Sequence, residues 1–135
     1  MKDEEFQTVL LAVIYDPKEK KILIGRREND PHLEELKWCF PGGKPNHNQE
    51  LETALSEKIK LKTGYEISNL GSIFIRIAPE KRDQILIYYL CEALEGTPTP
   101  GDDLVELKWV APKELEKHFT TSFHPNLKEY VMNLK

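Results

Sequence analysis

Gly43 and Gly64 bracket the stretch that most restricts how this chain can fold, WCFPGGKPNHNQELETALSEKIKLKTGY from Trp38 to Tyr65. It reads as strand, glycine turn, helix, glycine stop. Pro41-Gly42-Gly43 breaks a short aromatic run, because proline donates no ladder hydrogen bond and glycine accepts backbone angles that other residues avoid. After the polar loop Lys44 to Asn48, the pattern predicts a helix from about Gln49 to Thr63. Gly64 supplies the residue type that most easily takes the left-handed turn closing a helix. A glycine-hinged loop running into a helix commonly holds a phosphate or a metal.

The remainder supplies strands on either side of this helix. Thr8 to Tyr15 (TVLLAVIY) is almost continuously apolar and branched, which suits a strand buried on both faces. Asp16 to Lys20 is turn chemistry, and Ile22 to Gly25 returns as the second arm of a hairpin ending in Arg26-Arg27. Glu28 to Lys37 reads as a loop. Downstream, Ile73, Ile75 and Ile77 alternate with Phe74 and Arg76, and Ile85 to Cys91 forms another buried strand. Glu95 to Asp103, with its glycines and prolines, is the clearest loop. Val105 to Trp109 alternates as a half-exposed strand, Pro112 opens a short helix, and a last helix starts near Pro125 and runs to the end. The expected fold class is α+β, an α/β/α sandwich formed by one domain over residues 1–135.

With 135 residues, the chain is large enough for a core without staples, and 39% hydrophobic with 31% charged residues fits a globular protein. The net charge of −4, from 19 basic and 23 acidic residues, gives no global footprint for nucleic acid or anionic membrane. Cys39 and Cys91 lack metal-ligand spacing and read as small buried hydrophobes. The acidic start precedes too short an apolar run for a signal peptide, and no run approaches a membrane span. A cytoplasmic location is expected.

On the helix, successive residues lie 100° apart, so Leu51, Ala54, Leu55 and Ile59 share one apolar stripe. Lys58 and Lys62 fall in the middle of it, one turn apart. Two readings stand. Their stems pack while their heads reach water near the helix C-terminus, where cations suit the dipole. Alternatively, this end of the face lines a cavity that receives an anion, since an unpaired buried ammonium is costly.

The stretch resembles the box of the Nudix hydrolases, GX5EX7REUXEEXGU with U a bulky apolar residue, typically preceded by an aromatic-Pro-Gly motif. Gly43, Ile59, Gly64 and Tyr65 match the two glycines and two U positions without a gap. TVLLAVIYD with ILIGRRE resembles the family's opening hairpin, and LKWVAPKEL its late strand and short helix. The resemblance covers nearly the whole chain and implies a Nudix-like fold with a mixed central sheet, this box helix and a C-terminal helix. The box chemistry departs from the family. Gln49 stands at the first glutamate, Glu57-Lys58 at the Arg-Glu pair, and Leu61-Lys62 at the consecutive glutamates. The family reaction is attack of water on a nucleoside diphosphate linked to another moiety, with Mg²⁺ or Mn²⁺ held by those carboxylates. A hard cation needs oxygen ligands, and ammonium groups repel it. Each ~1.4 kcal/mol of lost transition-state stabilisation is a tenfold in rate.

The expectation is therefore a small-molecule, nucleotide-like ligand bound without metal cofactor and without efficient hydrolysis. Lys58 and Lys62 would meet phosphate oxygens directly, aided by Arg26, Arg27, Arg76, Gly42, Gly43 and Lys44. An alternative is a divergent hydrolase with a displaced Mg²⁺ or Mn²⁺ site at Glu50 and Glu57, seven residues apart on one helix side, and a base among Glu50, Glu57, Glu66 and His124. A second alternative is a protein-association domain, for example a homodimer. Glu80 and Asp83 are further carboxylates beside strands. His32, His47 and His118 carry no site pattern. Trp38, Phe40, Tyr65, Tyr88 and Trp109 read mostly as core, and one of them could stack on a base.

Overall fold

Every side chain from Leu10 to Tyr15 except Leu11 is buried, and the alternate residues of this strand serve two different cores. A computed structural model describes residues 5–28 and 37–135. Most of the loop expected between Glu28 and Lys37, His32 included, lies outside the described residues. The strand, β1 (Gln7–Asp16), is flanked on both sides. It runs parallel to β6 (Gln84–Gly96) through eight residue pairs, Gln7↔Gln84 to Ile14↔Cys91. On its other side it pairs antiparallel with the start of β2 (Lys21–Arg27) and with Gly42–Gly43, a two-residue strand β4. β2 also carries β3 (Trp38–Cys39) and β7 (Leu104–Val110), both antiparallel, while β5 (Tyr65–Ile77) pairs antiparallel with β6. The sheet is therefore mixed.

Leu10, Ala12 and Ile14 pack with Ala54, Leu55 and Ile59 of helix α1 (Leu51–Thr63) on one face of the sheet. Val13 and Tyr15 pack on the other face with Leu115 of the short helix α2 (Leu115–His118) and with Leu127 and Val131 of α3 (Pro125–Met132). This is the α/β/α arrangement expected from a doubly buried strand. Each fully buried leucine or isoleucine here contributes about 2 kcal/mol. Leu51 departs from the expected stripe: it opens the helix and is largely exposed.

Several boundaries move. The helix starts at Leu51 with Glu50 as its cap, and α3 stops at Met132. β5 begins directly after Gly64, well before Ile73, because the left-handed Gly64 (φ +81°) turns the chain straight from α1 into the hairpin with β6. The residues beyond Gly96 cross the C-terminal end of α1. There the Thr99 and Gly101 amides donate to the Thr63 and Lys62 carbonyls, which the helix itself leaves without donors. Among the described residues no helix is long and apolar enough to cross a membrane.

Candidate functional site

Gly42 and Gly43 are needed for what approaches them. A Cβ at Gly42 would lie 1.8 Å from the Leu10 carbonyl oxygen, so only glycine lets this segment pair with β1. Gly42 does not take a left-handed backbone angle, which corrects the reason expected for it. A Cβ at Gly43 would lie 3.0 Å from Cδ of Lys58. Glycine at this position lets the Lys58 stem cross the strand and reach the cavity beyond.

That cavity has a volume of about 430 Å³, within the range of small-molecule sites. Gly42, Gly43, Lys58 and Lys62 line one end; Arg76, Glu80, Lys81 and Ser122 line another part, with Phe40, Tyr88, Phe119 and Phe123 forming aromatic wall. Phe40 meets Tyr88, Phe119 and Phe123 edge-on at centroid separations of 6.0, 5.1 and 6.3 Å. Among the described residues, six cationic side chains line the cavity against two carboxylates, Glu80 and Asp103, in a chain whose net charge is −4. The positive charge is local, as an anion site requires.

The two helix lysines differ. Lys62 is buried, 9% exposed, unlike an ordinary end-of-helix lysine whose head stands in water. Its ammonium lies 3.1 Å from Oδ1 of Asp103 and 4.0 Å from Oδ2 of Asp102. Oδ1 of Asp103 has no aligned hydrogen bond, so the Lys62 contact is a contact of charges. The other oxygen of Asp103 lies 2.7 Å from the Arg27 guanidinium. Lys58 is half-buried, lines the cavity, and pairs with no carboxylate among the described residues.

Farther along the lining, Arg76 donates to the carbonyl and the hydroxyl oxygen of Ser122, both at 3.1 Å. The Ser122 amide and hydroxyl donate in turn to Glu80, at 2.9 and 3.1 Å. Burial alone would raise the Glu80 carboxyl, but the two Ser122 hydrogen bonds and the Arg76 charge outweigh it and hold Glu80 below its ordinary range. Burial pushes the Tyr88 phenol upward against the opposing pull of Arg76. Lys44 also lines the cavity and donates to Gln7 at 2.6 Å.

Of the residues expected at a ligand site, Lys58, Lys62, Arg27, Arg76, Gly42, Gly43 and Lys44 come together. Arg26 does not. The alternation of β2 sends its guanidinium to Glu106 on β7, 2.8 Å away, and it does not line the cavity. Glu50, Glu57 and Glu66 are exposed and also lie outside the lining: Glu57 accepts from Gln49, and Glu66 sits 3.9 Å from Lys60. His124 caps α3, its Nδ1 accepting from the Asn126 amide, with its ring against Phe74. His118 sits edge-on to Trp38. Asp83 pairs with Lys81 at 3.0 Å. Among the described residues no group of three or more His, Cys, Asp or Glu side chains is placed to hold a metal ion. Among the described lining residues both carboxylates already face cations or hydrogen-bond donors, so the described donor set does not fit Mg²⁺, which takes oxygen ligands from carboxylates.

Sequence reading missed Asp103, Ser122, Lys81, Phe119 and Phe123. The one signal for Asp103 was the acidic pair closing a glycine- and proline-rich loop, in a chain with two lysines on an apolar helix stripe.

The sequence pattern of the NUDIX domain matches residues 5–132. Together with the mixed sheet and the α1 frame, this places the chain in the Nudix family. A comparison with curated protein sequences gave no match. Among solved structures, it resembles a NUDIX hydrolase from Nitrosomonas europaea (TM-score 0.78, 16% identity, covering 96% of this chain and 72% of that one). It also resembles a UDP-X diphosphatase (TM-score 0.73, 17% identity, covering 97% of this chain and 64% of that one). A third likeness is to an ADP-ribose pyrophosphatase from Streptococcus suis (TM-score 0.64, 20% identity, covering 79% of this chain and 75% of that one). At such identities the likeness establishes the fold.

Proposed function

We propose that this Nudix domain binds a nucleoside-diphosphate-type ligand (a nucleotide, nucleotide sugar or dinucleotide) without a divalent cation and without efficient hydrolysis. The observation that carries this is Lys58, an ammonium lining the cavity with no carboxylate partner among the described residues. In the Nudix box that position is a glutamate. Lys62, at another glutamate position, lines the same cavity. Fixed ammonium charge takes the place of a metal against phosphate oxygens, while the aromatic wall offers faces for a base. The similar proteins named for UDP-X and ADP-ribose indicate the ligand class to try first.

Binding without efficient turnover follows from what the residues supply. Lys58, Lys62, Arg27 and Arg76 attract and orient a diphosphate. The carboxylates that could serve as base, Glu80 and Asp103, are tied to Ser122 and to Lys62 with Arg27. Titration calorimetry with ADP-ribose and with a UDP-sugar, in EDTA and in Mg²⁺, tests the reading. Binding should persist in EDTA. Metal-dependent product formation at a rate usual for enzymes would overturn it and return the divergent hydrolase.

A further inference from the structure

Resting on the proposed ligand class, we infer that Asp103 is a built-in counter-anion that occupies the Lys62–Arg27 part of the cavity, and that an incoming diphosphate must displace it. Its two oxygens sit 3.1 Å from the Lys62 ammonium and 2.7 Å from the Arg27 guanidinium, and all three side chains line the cavity. The Lys62 side chain is only 11% exposed, so its charge needs an anion at all times. Asp103 supplies that anion in the free protein. A phosphate oxygen offers the same chemistry with more charge and more acceptors.

Lys58 is not neutralised in this way, which makes it the first contact for a diphosphate, with Lys62 and Arg27 engaged only after Asp103 moves. The chain before Asp103 is held to α1 by two backbone bonds, from the Thr99 and Gly101 amides to the Thr63 and Lys62 carbonyls, and these are the contacts that loosen when Asp103 moves. Asp102, at φ +55°, occupies a backbone conformation uncommon for a residue with a side chain. The displaced Asp103 exchanges its two ion pairs, with Lys62 and Arg27, for solvent while the ligand takes its place, so the affinity seen is the intrinsic one reduced by the cost of moving it.

Inorganic pyrophosphate in EDTA is the probe, since it needs no base contact. Asp103→Asn should tighten its binding about tenfold, because the free protein then keeps Lys62 buried with only the more distant Asp102 carboxylate, 4.0 Å away, beside it. Glu106→Gln changes the net charge equally but removes only the surface partner of Arg26, and should leave binding unchanged. Equal or weaker binding by Asp103→Asn, with wild-type binding intact, overturns the inference and leaves the proposed function standing. Absence of pyrophosphate binding in both proteins defeats the proposed function as well. Should Asp103→Asn not fold, hydrogen exchange in the wild-type chain decides: saturating pyrophosphate should speed exchange at the Gly101 and Leu104 amides several-fold. Unchanged or slower exchange there overturns the displacement.

Discussion

Gly42 approaches Leu10 so closely that a Cβ on it would lie 1.8 Å from the Leu10 carbonyl oxygen and 3.0 Å from the Leu11 α-carbon. The obstacle is backbone and cannot rotate away. Gly42→Ala must therefore push β4 off β1, and should destabilise the fold by about 3 kcal/mol, at the upper end of overpacking effects. The denaturation midpoint checks this.

Gly43→Ala acts differently, because the atoms it meets belong to the flexible Lys58 stem. Stability should fall by about 1 kcal/mol or less, while the Lys58 ammonium is redirected from its place in the lining. Diphosphate affinity in EDTA should drop several-fold with only a small change in melting temperature. A large melting loss with unchanged affinity would contradict the Lys58 role.

Reversing charge separates the two lysines. Lys58→Glu meets no carboxylate partner among the described residues and should fold, yet lose at least tenfold in diphosphate affinity, about 1.4 kcal/mol. Lys62→Glu places a third carboxylate beside Asp102 and Asp103 in a buried position, and should cost about 3–5 kcal/mol of stability. Lys62→Met should be milder, since Asp103 keeps Arg27. Unfolding curves and calorimetry on the same preparations distinguish the effects.

The Glu80–Ser122–Arg76 chain should show in acid. Glu80 is held below its ordinary value of 4.5, so its contribution to stability is present above that pH and fades as pH falls through the lower, folded value. Glu80→Gln should lower the melting temperature at neutral pH, have little effect well below pH 4.5 where the wild type has already lost this contribution, and so flatten the acid decline. A pH series of melting curves for both proteins is the check.

Burial pushes the Cys91 thiol up to about 12. Thiolate, not thiol, attacks disulfide reagents, so Cys91 should stay unlabelled by Ellman's reagent at pH 8 until the protein unfolds. Rapid labelling of native Cys91 would contradict the burial of β6.

Much of the fold was legible because it depends on local periodicity. The continuous apolar run of β1 announced a strand buried on both faces, and Gly64 announced the helix stop, since each follows from one segment's own chemistry. The length of β5 was not legible. Tyr65 to Ser72 lacks clean alternation, with register shifts along its pairing with β6, and becomes strand through that partner. The site divides in the same way. The helical period determined that Lys58 and Lys62 share a face with Ala54, Leu55 and Ile59. Only tertiary structure decided that they differ. Lys62 is neutralised because a segment some forty residues later crosses the end of α1 and delivers Asp103, whereas among the described residues no carboxylate pairs with Lys58. The same packing separates neighbouring Arg26 and Arg27, sending one to Glu106 and the other to the cavity. Sequence fixes which face a side chain takes, through the period of its helix or strand. Which charge it meets there depends on contacts between distant segments, and these exist only once the chain has folded.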